Sequence, residues 1–293
     1  TFMNAIGNCA DTSQPINAIV YDLYGNIMTV LGYDNNSILG FSGAICADDA
    51  AGTFTRGWTV LNGHFIDGSS SYAFVTLDVF RAMITHEFGH LIGLDHSQIN
   101  LNCLTDTSCP AADMAGLPVM FPVLLDNATN TLKTDDVAAV SALYPASNFS
   151  STTGRIQGRV LFSDGTTPAQ GYNVIARLVS DPRTTAVSCG SGYLFTAGAS
   201  NPFAPPDINE EQFYGSQDQS LIGFYDIPGL PSGNYTIEVE AIHNSGEIPF
   251  VDSSGVGPIG SFLGFQYKLP GNCDPQYLNY PSSSGDSCAA KST

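Results

Sequence analysis

HEFGHLIGLDH, residues 86 to 96, is the stretch from which the rest of the chain is read. On a helix of 3.6 residues per turn, His86 and His90 stand one turn apart on the same face, so both imidazoles reach a single ion. Glu87 sits beside the first of them, where a carboxylate can hold and deprotonate a metal-activated water. Gly93 lets the chain leave the helix in a conformation that a side chain resists, which turns His96 back as a third ligand. Three protein ligands leave a fourth position open, and an open position separates a catalytic zinc from a closed structural one. Two histidines four residues apart also arise as an ordinary polar helix face. The added Gly93 and His96 at these offsets favour the metal.

The extended pattern H-E-x-x-H-x-x-G-x-x-H is that of the metzincins, which also carry a methionine turn beneath the metal. LPVMFP, residues 117 to 122, offers Met120 for that turn, and Pro118 and Pro122 make a tight, non-helical course plausible. Taken alone, Met120 reads as an apolar core residue. Ser97 follows the third histidine, and TDDVAAVSALYP (134 to 145) resembles the closing helix of the matrixin-like proteases. The resemblance covers about residues 15 to 145. It implies an α+β catalytic domain with a twisted mixed sheet, an active-site helix and a C-terminal helix. It also implies hydrolysis of peptide bonds by zinc-activated water with Glu87 as general base. Thr134 is expected to cap the closing helix, Asp135 and Asp136 to favour its positive end, and Val137, Val140 and Leu143 to form its inward stripe.

The chain departs from the family pattern in two places. The connection from His96 to Met120 is longer than in compact matrixins and holds Cys103 and Cys109, which can close a small disulfide loop. Phe121 and Pro122 follow Met120 where astacins and serralysins have a metal-binding tyrosine, which disfavours those two subfamilies. Matrixins carry structural calcium and often a second zinc, so calcium is an expectation of the resemblance, although no D-x-[DN]-x-[DN]-G loop places it. His64, in LNGHFIDG, reads as a strand or rim residue rather than a ligand, with Asp67 beside it keeping the second option open.

Ahead of the motif, INAIVYDL (16 to 23), SILGFSGAI (37 to 45) and TRGWTVLNGHFI (55 to 66) alternate as strands between Gly, Asn and Asp turns. Only about fourteen residues precede the first strand, so the domain reads as abbreviated or trimmed. The second strand resembles the matrixin edge strand above the cleft, to which an extended peptide adds through backbone hydrogen bonds. That makes Leu39, Gly40 and Phe41 candidate substrate-binding residues. The resemblance adds Phe121, Pro122 and Val123, from the segment that shapes the specificity pocket and suggests a hydrophobic side chain just after the cut bond. Residues 75 to 94 form the active-site helix, with Val79, Phe80, Met83, Ile84, Phe88, Leu91 and Ile92 as apolar cover, and such a helix is expected to be buried.

After Pro145 the character changes. The catalytic domain is expected over 1–146, a small-residue linker over 147–153, and an all-β sandwich domain over 154–293. GRIQGRVLFSDGTTPAQGYNVIARLV (154 to 179) and IGFYDIPGLPSGNYTIEVEAI (222 to 242) alternate around Asp164-Gly165 and Pro-Ser-Gly-Asn turns. They resemble carboxypeptidase-regulatory or transthyretin-like modules, which implies an accessory, stabilising or adhesive role; His243 there reads as structural. Residues 180 to 220 read as a long insertion, and LGFQYKLP (263 to 270) as one last strand before a loop-rich tail.

With 27 acidic and 9 basic residues the formal charge is −18, which argues against nucleic acid or an anionic membrane as partner. Seven cysteines suggest an oxidising, extracellular compartment. Proximity pairs Cys103 with Cys109 and Cys273 with Cys288, makes Cys9 with Cys46 plausible, and leaves Cys189 over, though sequence does not fix connectivity. No run of eighteen apolar residues spans a membrane. The sequence therefore reads as a secreted zinc endopeptidase acting on protein or peptide, its oligomeric state unspecified. The rival is an extracellular structural or adhesive, self-assembling protein that keeps the fold for display. Glu87, which a structural zinc has no need of, argues against the rival.

Overall fold

The computed structural model describes residues 17–48, 53–68, 74–94, 96–97, 99–100, 103, 109–124, 130–169, 172–191, 223–241 and 291–292. They fall into two compact units, one within Thr1–Asp95 and Val123–Thr131, the other within His96–Pro122 and Leu132–Thr293.

In the first unit, β1 (Asn17–Asp22), β2 (Gly40–Asp48) and β3 (Thr53–Asn62) form a mixed sheet of order β1-β3-β2. β1 runs parallel to β3, from Asn17↔Gly57 to Asp22↔Asn62, and β2 runs antiparallel to it from Gly40↔Leu61 to Asp48↔Thr53. Asp22 ends β1 and accepts from the amides of Asn26, Ile27 and Met28, which fixes the short α1 (Asn26–Val30). A 3-10 turn over Gly63–Ile66 follows β3. The long helix α2 (Leu77–Leu91) starts where the Thr76 hydroxyl accepts from the amide of Val79 at 3.2 Å. Phe80 and Met83 pack with Leu61, each such buried side chain contributing about 1.5–3 kcal/mol.

The helix is not covered all round as expected. Leu77 is 56% exposed, Phe88 37% and Ile92 41%, because only the face bearing Phe80, Met83, His86 and Glu87 is buried.

The second unit holds α3 (Ala111–Ala115), α4 (Thr134–Leu143), α5 (Phe149–Thr152) and six strands. These are β4 (Gly154–Leu161), β5 (Tyr172–Leu178), β6 (Ala186–Gly190), β7 (Phe224–Leu230), β8 (Tyr235–Ala241) and β9 (Lys291–Ser292). Two three-stranded sheets result, β7-β4-β9 and β6-β5-β8, with antiparallel pairing throughout. Val160, Tyr225 and Ile227 from the first sheet and Val174, Ala176 and Val187 from the second share one apolar core. β5 is buried on both faces: Val174 and Ala176 enter that core, while Ile175 packs behind the strand against Ile99 and Ala186.

Four sequence expectations change here. The inward stripe of α4 is not Val137, Val140 and Leu143: Val137 is 48% and Leu143 52% exposed, and Asp135, Asp136 and Ala138 are buried instead. The N-cap of that helix is Lys133, not Thr134. β6 forms within the stretch read as an insertion, and the short α5 falls within the expected linker. Cys273, Cys288, His243 and residues 263 to 270 lie outside the described residues. No helix among the described residues is long and apolar enough to cross a membrane.

Candidate metal centre

His86, Glu87 and His90 stand on the last turns of α2, and the helix ends in a way that serves them. Gly93 has φ +95°. Its amide donates to the His90 carbonyl at 3.0 Å, and that of Leu94 donates to the Gly89 carbonyl at 2.9 Å. This pair of bonds is the Schellman exit, in which a glycine takes the left-handed position without a Cβ penalty. The exit also aims the Leu94 carbonyl at His90 Nδ1, 2.8 Å away. A carbonyl only accepts, so Nδ1 carries the hydrogen, and in the neutral ring Nε2 keeps its lone pair for a metal. Burial lowers the pKa of His90, which favours that neutral form.

The Nε2 atoms of His86 and His90 face each other at 3.1 Å. Two nitrogens bound to one tetrahedral zinc stand about 3.3 Å apart, so the pair is spaced for a shared ion. Along the segment 86–96, one ring nitrogen from each of His86, His90 and His96 lies within 4.8 Å of the others. Glu87 is buried beside His86, and its Oε2 has no hydrogen-bond partner among the described residues. Burial pushes its carboxyl up to about 8. A buried, unpartnered carboxylate oxygen next to a three-nitrogen donor set is what a divalent cation and its solvent would satisfy, so these residues fit a zinc ion.

Glu87 is held in place from the sheet. A Cβ built on Gly40, the first residue of β2, would stand 2.8 Å from Met83 Sδ, 3.1 Å from Glu87 Cγ and 3.1 Å from the Val60 carbonyl oxygen. Glycine at position 40 therefore leaves the room that the Glu87 side chain occupies. The next residue, Phe41, stacks edge-on against Trp58 with centroids 4.6 Å apart. Leu39 packs against the Leu61, Phe80 and Met83 cluster.

In the second unit, the residue after His96 is tied to Met120, since the Ser97 amide donates to the Met120 carbonyl at 2.7 Å. The amides of Val119 and Met120 donate to Asp136, at 2.9 and 3.0 Å, and so does that of Lys133 at 2.8 Å. Burial raises the Asp136 carboxyl, against the pull of these three donors. Phe121 is only 2% exposed and packs with Met114, Leu117 and the cysteines of the Cys103–Cys109 disulfide; Pro122 and Val123, which follow it, are half-buried. His64 lies apart from the three-histidine group, its Nδ1 3.1 Å from Asp67 Oδ2. Cys46 is also in a disulfide; Cys9, its expected partner, lies outside the described residues. Cys189 is free, and burial pushes its thiol up to about 12.

Sequence reasoning missed the Leu94 carbonyl, Gly40's spacing role and the burial of the acids of α4, which it read only as favouring the helix's positive end. Only Gly40 had a sequence signal, a glycine within an expected strand.

Residues 4–104 match the family model described as Peptidase M66. The matched stretch takes in the whole of segment 86–96 and stops short of Met120 and the C-terminal strands. It supports a metallopeptidase, and a peptidase implies a peptide substrate. No curated protein and no solved structure matches the chain.

Proposed function

We propose that the chain is a secreted zinc endopeptidase of matrixin-like type, with His86, His90 and His96 as ligands, Glu87 as general base and Met120 in the methionine turn. The observation that carries this reading is the three-nitrogen group beside a buried carboxylate with an unpartnered oxygen. A bound zinc supplies Lewis acidity, polarising the scissile carbonyl and lowering the pKa of water. Glu87 takes a proton from the attacking water and passes it to the leaving nitrogen. His90 holds its proton on Nδ1 against Leu94, so its ring neither drifts nor competes as the base. No covalent intermediate is required.

β2, at an edge of the described sheet, offers a backbone template on which an extended substrate lies across Leu39, Gly40 and Phe41. Phe121 is spent on packing, which leaves Pro122 and Val123 to give the pocket its apolar character. Cleavage-site profiling checks this: hydrophobic residues just after the cut bond are expected, and charged residues there would remove the assignment. Disulfides at Cys46 and Cys103–Cys109 favour an oxidising compartment. The test of the activity is digestion of an unstructured protein such as casein. Cleavage should stop on chelation and return with added zinc; cleavage indifferent to chelator would refute a metallopeptidase.

A further inference from the structure

The geometry points to the β5-β6 sheet as the support of the third ligand, with Asp135 and Ile175 as positioning residues for His96. This inference rests on the ligand set proposed above and concerns only the second unit. The segment that begins at His96 is anchored to the β5-β6 hairpin, at a face, an edge and the turn, by four separate contacts. Ile99, three residues beyond His96, is 1% exposed and packs against Ile175 of β5 and Ala186 of β6. Asp135 accepts from the Ser188 amide of β6 at 2.7 Å and also from the Ser97 hydroxyl, one residue from His96. Asp113 pairs with Arg183 at 3.2 Å, just before β6. A Cβ on Gly116 would fall 1.9 Å from the Arg183 carbonyl oxygen, so the loop meets the β5–β6 turn backbone to backbone.

The register of the sheet explains why these contacts agree. Ile175 pairs with Ser188, and Arg177 pairs with Ala186, so Ile175, Ala186 and Ser188 share a face. That face receives Ile99, and the Asp135 carboxylate meets the outer edge of β6 at the Ser188 amide, while the opposite face enters the core through Val174, Ala176 and Val187. Within the segment, Asn100 adopts φ +57° and its Nδ2 donates to the Asp113 carbonyl at 3.0 Å, which closes the loop between Ile99 and Asp113. His90 is fixed by the exit turn of its own helix. The chain around His96 is fixed instead by residues distant in sequence, from Met120 through Asp135 and Ile175 to Ala186. A C-terminal sheet that reads in sequence as an accessory module therefore holds the chain that carries the third proposed ligand, and the setting of His96 within its own unit depends on it.

The test uses Co2+ titration of the full chain, read by its visible absorption, with His96→Ala as the reference for a lost third ligand. Ile175→Ala and Asp135→Ala touch no proposed ligand. Each is expected to weaken Co2+ binding roughly 10- to 100-fold and to shift the spectrum toward that of His96→Ala, the usual loss when a group orienting a ligand is removed. Thermal melting establishes that the variants are folded, and Asp135→Ala carries the test if Ile175→Ala does not fold. Folded variants with the intact chain's affinity and spectrum, even if less stable, would overturn the inference while leaving the metal site standing. An intact chain that takes up no Co2+ would overturn the ligand set itself, and this inference with it.

Discussion

Burial keeps the Glu87 carboxyl protonated near neutral pH until a cation arrives, because its pKa stands at about 8. A divalent ion beside it favours the charged form, so metal binding at pH 6.5 should release more protons from the intact chain than from Glu87→Gln, with a difference of up to about one per site. Calorimetry in buffers of different ionisation enthalpy reads that difference; equal release from both chains would show that Glu87 does not face the ion. Gly40 tests the same side chain from the sheet. Gly40→Ala drives a methyl toward Met83 Sδ, Glu87 Cγ and the Val60 carbonyl. It is expected to cost about 1–3 kcal/mol in urea unfolding and to lower cleavage while metal stays bound. Unchanged cleavage would mean that Glu87 has slack. The pairing of His86 with His90 was legible from spacing alone, since i and i+4 histidines share a helix face. The Leu94 carbonyl was not, because its aim depends on the three-dimensional course of the Gly93 exit.

Helix α4 shows where pattern reading fails and why. Its apolar residues Val137 and Leu143 face solvent, and its buried face carries Asp135 and Asp136. Hydropathy places acids outside, but these two are held by amides distant in sequence: Val119 and Met120 for Asp136, and Ser188 for Asp135. Such partners leave no local signature. Asp136→Ala should strand three amides and cost at least about 3 kcal/mol, whereas Val137→Ser should change stability by no more than about 0.5 kcal/mol. Chemical denaturation of both variants decides it, and the reverse order of costs would restore the stripe expected from sequence. Strands β1, β3, β4, β7 and β8 were legible, because each alternates between turn residues. β6 was not: five residues, AVSCG, are too short to stand out from a Ser- and Thr-rich stretch.

Over the whole chain, an excess of carboxylates and the buried acids Glu87, Asp135 and Asp136 set the response to pH. Glu87, pushed up to about 8, contributes with the same sign as the two aspartates. Asp135 titrates at about 3.9 in an unfolded chain and is pushed up to about 7 by burial in the folded chain. Between those values the native state holds a proton that the unfolded state has lost. The stability this contributes is complete below about pH 4 and is lost as the pH rises through about 7, at up to about 1.4 kcal/mol per pH unit. Asp136 shifts in the same direction, and relief of repulsion at a formal charge of −18 has the same sign. Metal-free protein should thus resist urea better at pH 5.5 than at pH 7.5, with a shallower dependence for Asp135→Asn; stability that climbs with pH over this window would contradict the buried, protonated Asp135. Above all, zinc content and casein cleavage should be measured side by side for the intact chain and Glu87→Gln. The expected result is about one zinc per chain in both proteins, with cleavage by the variant reduced roughly 10²- to 10⁴-fold. Cleavage at the intact rate by a zinc-loaded Glu87→Gln protein would contradict a metallopeptidase whose base is Glu87.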